Sequence, residues 1–164
     1  MRILLGKNEK LVGYIDEIDA DIVESTKIHA HRSRKEIFYM RCRVGKKKKR
    51  TYVHRIIIER ITGAPLKPGF VVDHINENGL DNRRKNLRVL TNKENLIRRG
   101  PKPNTVSGLK GVWKSTGNKP WAAEIVAEGK KISLGYYATK EEAARVYDSH
   151  IENYFGPLAY KNFP

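Results

Sequence analysis

The sequence predicts an α+β protein of two small domains, and three observations predict it. "FVVDHINENGLDNRRKNLRVLTNKEN", residues 70–95, runs as strand, turn-rich loop, strand and helix start. "RRGPKPNTVSG", residues 98–108, holds two prolines, two glycines and almost nothing apolar, so it divides the chain as a linker. Beyond it come three short strand patterns and one capped helix. A chain of 164 residues has room for one ordinary domain or two small ones. The expected boundaries are 1–99, with a β-rich part at 1–62 and a ββα unit at 66–99, then a linker at 100–107 and a second domain at 108–164.

In chain order, "KLVGYIDEID" (10–19) and "EIFYMRCRV" (36–44) are β-branched and aromatic and read as strands. "KKKKR", residues 46–50, follows Gly45 and reads as a solvated hairpin tip or, functionally, a phosphate clamp. "YVHRIIIERITG" puts Val53, Ile56, Ile57 and Ile61 on one helical face, with Gly63 as the stop. In the ββα unit, "FVVDHI" and "NLRVLT" are strands around the loop "NENGLDNRRKN". Thr91 then caps a helix with Glu94 in the capping-box position, and Asn95 lies in its first turn or so. "GLKGVWKS", "PWAAEIVAEG" and "KKISLGYYAT" are the three later strands. In "TKEEAARVYDSHIENYFG", Thr139 caps, Glu142 completes a capping box, and Ala143, Ala144, Tyr147 and Ile151 form the inward stripe.

Charge points to the partner. Lys plus Arg total 33 against 18 Asp plus Glu, a formal net of +15. Residues 1–106 hold 25 cations against 12 anions and residues 107–164 hold 8 against 6, so phosphate neutralisation falls mainly on the first part. Such an excess favours a polyanion. No apolar run approaches the about 18 residues that cross a bilayer, and "MRILLGKNEK" has too short an apolar core for a signal peptide. The lone Cys42 makes neither an internal disulfide nor a thiolate zinc cage. The expectation is a cytoplasmic protein, not secreted and with no membrane partner.

Asp73, His74, Asn86 and Asn95 carry the chemistry of the ββα unit. Phosphodiester hydrolysis needs a base for water, a hard cation for developing charge, and a fixed orientation for the base. His74 suits the base, its ordinary pKa being about 6.5. Asp73 and Asn95 offer oxygens to Mg²⁺, which keeps waters and takes few protein ligands. Asn86 can bond the loop backbone or the imidazole. Neighbouring strand residues point to opposite faces, so the strand must end or bulge for Asp73 and His74 to share a site. His29 and His31 lack an evident third ligand and read as surface or core residues. His54 reads as structural, packing under the site, and Arg55 as a phosphate contact.

This segment resembles the HNH motif of phage and intron-encoded homing endonucleases, in the variant whose last His is Asn. The resemblance covers nearly all of residues 10–99. It implies a ββα-metal nuclease domain with His74 as general base, Asp73 and Asn95 on one Mg²⁺ or Mn²⁺ ion per active site, and Asn86 holding the loop and orienting His74. "LDNRRKNLR" matches the family's loop, with Asp81, Asn82 and Arg83 as framework and Arg83 or Arg84 near phosphate. The implied products carry 5′-phosphate and 3′-hydroxyl ends.

The second module spreads Lys110, Trp113, Lys114, Lys119, Trp121 and Lys131 over its strands, with Trp121 and Tyr147 expected in the core. "WAAEI", "LGYYAT", "EEAARVYD" and "FGPLAYKNFP" resemble the Apetala-type, ethylene-response-factor DNA-binding domain, a three-stranded antiparallel sheet packed on one helix. That family lays its sheet in the major groove and reads bases largely with Arg. The matching positions here are Lys110, Trp113, Lys131 and Ser133, and Lys does not make the rigid bidentate contact of Arg to guanine.

Together the resemblances imply a metal-dependent, homing-type endonuclease acting on double-stranded DNA as a monomer or homodimer, with no protein partner required. Its expected phosphate contacts are Lys47, Lys48, Arg50, Arg55, Arg83, Arg84, Lys110, Lys114, Lys119 and Lys131, joined by Trp113. The alternative is a non-catalytic DNA-binding regulator with a silent HNH fold; the intact set Asp73, His74, Asn86 and Asn95 argues against it. A basic RNA-binding protein is a third reading, and the lack of exposed aromatic stacking pairs argues against that.

Overall fold

The computed structural model describes residues 1–5, 11–34 and 36–164, Arg34 by its backbone alone. Lys10, where one expected strand begins, and the rest of residues 6–10 within the N-terminal stretch read above lie outside the described residues. The chain divides into two compact units, Met1–Asn92 and Lys93–Pro164. No helix among the described residues is long and apolar enough to cross a membrane. The α+β expectation is met by antiparallel sheets throughout, with the last one packed on a helix.

In the first unit, β1 (Arg2–Leu5) pairs with β2 (Leu11–Tyr14). The expected strand over 10–19 stops at Tyr14. A 3₁₀ turn, Glu17–Asp19, and the short α1 (Asp21–Ser25) follow, because acidic side chains there bond across the chain rather than along a ladder. A three-stranded sheet follows: β3 (His29–Arg34), β4 (Ile37–Val44) and β5 (Lys49–Tyr52), with β4 central. Along β4 the two-residue period turns Met40 and Cys42 into the core, both fully buried, and Tyr39, Arg41 and Arg43 to the other face. Gly45–Lys48 forms the exposed hairpin tip the lysine run predicts, turning through Gly45 and Lys48 at positive φ, and exposed Lys49 and Arg50 open β5.

Next comes α2 (Val53–Thr62), closed by Gly63 in the left-handed conformation. Its buried residues are Val53, Ile57 and Ile58, with Ile56 partly buried, whereas Ile61 is 47% exposed. The expected stripe is thus rotated: Ile58 takes the buried place, and Ile61 stands one residue before the helix ends at Thr62. β6 (Phe70–His74) pairs in unbroken register with β7 (Leu87–Thr91), which leads into α3 (Asn92–Arg98). Leu5, Ile15, Met40, Val53, Ile57, Leu80 and Leu87 form one core. Each buried aliphatic side chain contributes about 1.5–3 kcal/mol of transfer free energy.

In the second unit, β8 (Val112–Lys114), β9 (Trp121–Ala127) and β10 (Lys130–Tyr137) form a sheet with β9 central, and α4 (Lys140–Phe155) packs on one face. The Thr139–Glu142 capping box is present, and Ala143, Ala144, Tyr147 and Ile151 face inward as their spacing predicts. Gly111 is required by close approach: a Cβ there meets the Tyr147 ring. The closing residues are pinned by Asp148, whose carboxylate accepts from Asn162 N and Phe163 N, both at 2.8 Å.

The division between units falls inside α3 rather than in the proline-containing stretch after it. Ile97 packs with Ile125, Tyr147 and Ile151, and Tyr160 N donates to Ile97 O at 3.3 Å, so most of α3 belongs to the second unit by its contacts.

Candidate active site

The loop between β6 and β7 is rich in Asn, Asp and Gly because it is a hydrogen-bonded knot. Asn76 and Asn78 each accept, on Oδ1, the backbone N–H two residues on, both at 3.0 Å, which are Asx turns. Asn86 is buried and closes the loop: its Oδ1 accepts from Asn76 N at 3.0 Å, and its Nδ2 donates to Asn76 Oδ1 at 2.9 Å and Asp81 O at 2.7 Å. Gly79 lies flush on β4, where a Cβ would collide with the Phe38 carbonyl and the Tyr39 ring. Tyr14 N donates to Leu80 O at 2.9 Å, and Asn82 N to Tyr14 O at 2.7 Å, so the loop is stitched to β2 as well. The expected orienting bond from Asn86 to the His74 imidazole is absent among the described residues. Asn86 has spent its amide on the loop.

His74 is the last residue of β6 and 5% exposed. The strand ends there without a bulge, one of the two ways anticipated for presenting the Asp73–His74 pair. Its ring sits among aromatics: Tyr39 at 5.8 Å and His54, edge-to-face, at 5.1 Å. His54 stacks on Tyr52 at 5.2 Å with an interplanar angle of 7°. Among the described residues, four buried side-chain atoms lack a hydrogen-bond partner: Arg41 Nε, His54 Nδ1, His74 Nε2 and Asn82 Oδ1. Burial pushes the His74 pKa below the ordinary imidazole value, while Asn82 and the Asp73 and Asp81 carboxylates pull the other way. Asn82 lies close enough to favour the protonated ring, yet the pair falls short of full hydrogen-bond geometry. His74 is therefore neutral near neutral pH and in the form that accepts a proton.

His54 is pushed further, to about 3, by burial first and then by His74 and Arg55. Its folded pKa lies below the unfolded value of about 6.5. The stability it contributes is full above that value and is lost as pH falls towards 3. Between pH 7 and 4.5 the loss expected from His54 is at most about 3 kcal/mol. The shift of the urea midpoint between those pH values measures it, and His54→Phe is expected to flatten that shift.

Asp73 stands opposite Arg88 in the ladder, and its Oδ2 accepts from Arg88 Nε at 2.8 Å. Asn95 is half-buried on α3, within the span of the second unit. Among the described residues no group of three or more His, Cys, Asp or Glu forms a ready cage for a metal. A carboxylate oxygen such as those of Asp73 is a hard donor, of the kind that suits an ion keeping most of its waters, such as Mg²⁺, rather than zinc.

The expected cationic contacts separate into two groups. Lys47, Lys48, Arg50, Lys114, Lys119 and Lys131 are exposed, Lys131 with Glu124 at 3.5 Å, and Trp113 is 44% exposed. Arg55 pairs with Glu59 at 3.0 Å. The others have partners within the fold. Arg83 grips Asp81 through two bonds, 2.8 and 2.7 Å, and covers the Tyr14 ring. Arg84 grips fully buried Asp19 at 2.8 and 2.9 Å. Lys110 donates to the carbonyls of Leu96, Ile97 and Arg99 at the end of α3, and burial, then Arg99, holds its pKa down to about 8. Arg83 thus pairs with a carboxylate two residues away, and Arg84 with one far along the chain at Asp19. The Arg83 partner was adjacent in sequence; Asp19 carried no local signal.

Residues 51–97 match the HNH endonuclease family. Over 159 residues, 97% of this chain, the sequence is 28% identical to an uncharacterized HNH endonuclease of Acanthamoeba polyphaga mimivirus and covers 79% of it. It is 36% identical over 89 residues to Protein 3.8 of Escherichia phage T7, spanning 54% of this chain and 73% of that one. It is 32% identical over 88 residues to dehydration-responsive element-binding protein 2D of Arabidopsis thaliana, spanning 52% of this chain and 42% of that protein. No solved structure matches. A sealed imidazole at the end of a strand, closed in by an asparagine-knotted loop, lies within the matched residues, and the chain carries an HNH endonuclease domain, that of a hydrolase that cleaves DNA phosphodiester bonds.

Proposed function

We propose that this chain is a metal-dependent, homing-type DNA endonuclease whose second unit is an ethylene-response-factor-type module that targets the cut. The observation that carries the catalytic part is His74, a neutral, ring-packed imidazole at the end of β6 whose loop is fixed before substrate arrives. His74 takes the proton from the attacking water. Asp73 and Asn95 would hold one Mg²⁺ or Mn²⁺, which when bound supplies charge stabilisation at the phosphate and the leaving oxygen. Asn86 keeps the loop closed, and Lys47, Lys48 and Arg50 at and beside the hairpin tip contact the backbone of double-stranded DNA.

Support for the targeting part comes from the face of the second sheet away from α4. There Trp113, Ala122 and Tyr136 lie abreast by register, with Trp113 44% and Tyr136 50% exposed. Aromatic rings on an open sheet pack on sugars and on thymine methyls, while Lys114, Lys119 and Lys131 serve phosphates.

Incubation of supercoiled plasmid with the protein in Mg²⁺ or in EDTA tests the reading. Nicked or linear product only with the metal is expected. Equal cutting in EDTA would remove the metal from the mechanism. No cutting of plasmid or of a random-sequence duplex library, with DNA binding retained, would make the chain a binder.

A further inference from the structure

A helix of two turns does not hold itself in water; it forms on what it packs against. Such a helix is α3, and it carries Asn95. Its fixtures lie in the second unit. Ile97 packs against the cluster of Ile125, Tyr147 and Ile151. The last carbonyls of a helix lack a donor within it. Here Asn95 O takes Arg99 N at 3.0 Å, and Ile97 O takes Tyr160 N at 3.3 Å. Lys110 closes the rest, its Nζ donating to Leu96 O at 3.0 Å, to Arg99 O at 2.6 Å and to Ile97 O.

An ammonium has three N–H donors. Those of Lys110 meet three carbonyls, which leaves none for a phosphate. Its charge also suits the place, since a cation is favoured at the C-terminus of a helix. The lysine is set by its own backbone. Its N–H donates to Asn162 Oδ1 at 2.7 Å, and its carbonyl accepts from Asn162 Nδ2 at 3.0 Å. Asn162 in turn donates its backbone N–H and Nδ2 to Asp148 Oδ1, at 2.8 and 3.1 Å. Asp148 is buried on α4. A run of hydrogen bonds thus leads from α4 through Asn162 and Lys110 to the end of α3.

We propose that Lys110 is the positioning residue of Asn95: by fixing the C-terminal turn of α3, it makes the folded second unit a precondition for Asn95 to act in cleavage. The inference rests on the reading of Asn95 as a residue of the cleavage site. The second unit then serves the cut itself as well as its targeting. Loss of the Lys110 ammonium acts on kcat rather than on DNA affinity.

Residue-resolved amide hydrogen exchange of the full chain, without DNA or metal, reads α3 directly, and nicking of supercoiled plasmid in Mg²⁺ reads the consequence. Lys110→Met keeps the stem and removes the donors. Its α3 amides and Arg99 N–H are expected to exchange at least about tenfold faster, while those of β9 stay within about twofold of wild type. Its kcat is expected to fall on the order of 10–10²-fold with DNA affinity unchanged. Lys110→Arg, which keeps a charged donor, is expected to recover most of both. A Lys110→Met protein with wild-type α3 exchange overturns the proposal. So does one that binds DNA more weakly yet keeps kcat, the mark of a phosphate contact. In Asp19→Ala, which loosens the first unit, the α3 amides are expected to keep their wild-type rates. Acceleration there in step with β6 and β7 overturns the proposal even if Lys110→Met does not fold. An Asn95→Ala protein that cuts at the wild-type rate instead removes Asn95 from cleavage, and the exchange rates still decide what holds α3.

Discussion

Replacing His74 with alanine is expected to lower the cleavage rate by about 10²–10⁴-fold while leaving the DNA dissociation constant within about twofold of wild type. The rate falls because water then loses its proton to bulk solvent instead of to a positioned imidazole. Binding survives because His74 is 5% exposed, whereas the proposed phosphate contacts Lys47, Lys48, Arg50, Lys114, Lys119 and Lys131 are exposed side chains that the substitution does not touch. Removing the ring also opens a space beside Tyr39 and His54, whose centroids lie 5.8 and 5.1 Å from it, so some stability is lost too. Nicking of supercoiled plasmid, measured with duplex binding by fluorescence anisotropy at a temperature where the variant stays folded, separates the two effects. Equal nicking rates for variant and wild type would end the role of His74 as base.

The same residue marks how far the sequence was legible. Strand, loop, strand and helix over residues 70–98 follow from local signals: alternation in "FVVDH", Asx and glycine chemistry in the loop, and a helix after Thr91. The capped helix α4 and its stripe were equally local. The features that escaped are those in which distant segments decide. Ile61 carries the right spacing for the core, and whether it is covered depends on where neighbouring elements end. Arg83, Arg84 and Lys110 have the composition of phosphate contacts, and each is claimed by a partner inside the fold. Asn82 and Asn86 are alike as letters. Only the hydrogen bonds show that Asn86 serves the loop with both ends of its amide while the Asn82 Oδ1 stays buried without a partner.

Asp19→Ala is expected to destabilise the first unit by about 2–3 kcal/mol, lowering its melting midpoint by on the order of 10 °C. Asp19 is fully buried and takes both Arg84 nitrogens at 2.8 and 2.9 Å, with Arg60 at 3.4 Å; Arg60 continues to Asp21 at 2.6 and 2.5 Å. Asp16 adds a bond to Arg84 N at 2.7 Å. One carboxylate thereby ties the 3₁₀ turn near the N-terminus to α2 and to the turn, Arg84–Asn86, that delivers Asn86 to the loop. Cutting a fully buried pair costs about 3–5 kcal/mol. The two guanidiniums are 34% and 36% exposed, so water recovers part of that and the lower figure applies. Asp19→Asn keeps the shape and an acceptor oxygen, so it is expected to lose roughly half as much. Because the network reaches the site only through the loop backbone, cleavage at a temperature where Asp19→Ala remains folded is expected to fall less than tenfold, far short of the loss in His74→Ala. Thermal unfolding of the three proteins, read beside plasmid nicking, checks both parts. An Asp19→Ala protein that melts within about a degree of wild type would mean that Asp16 and the Tyr14 ladder hold the loop without it.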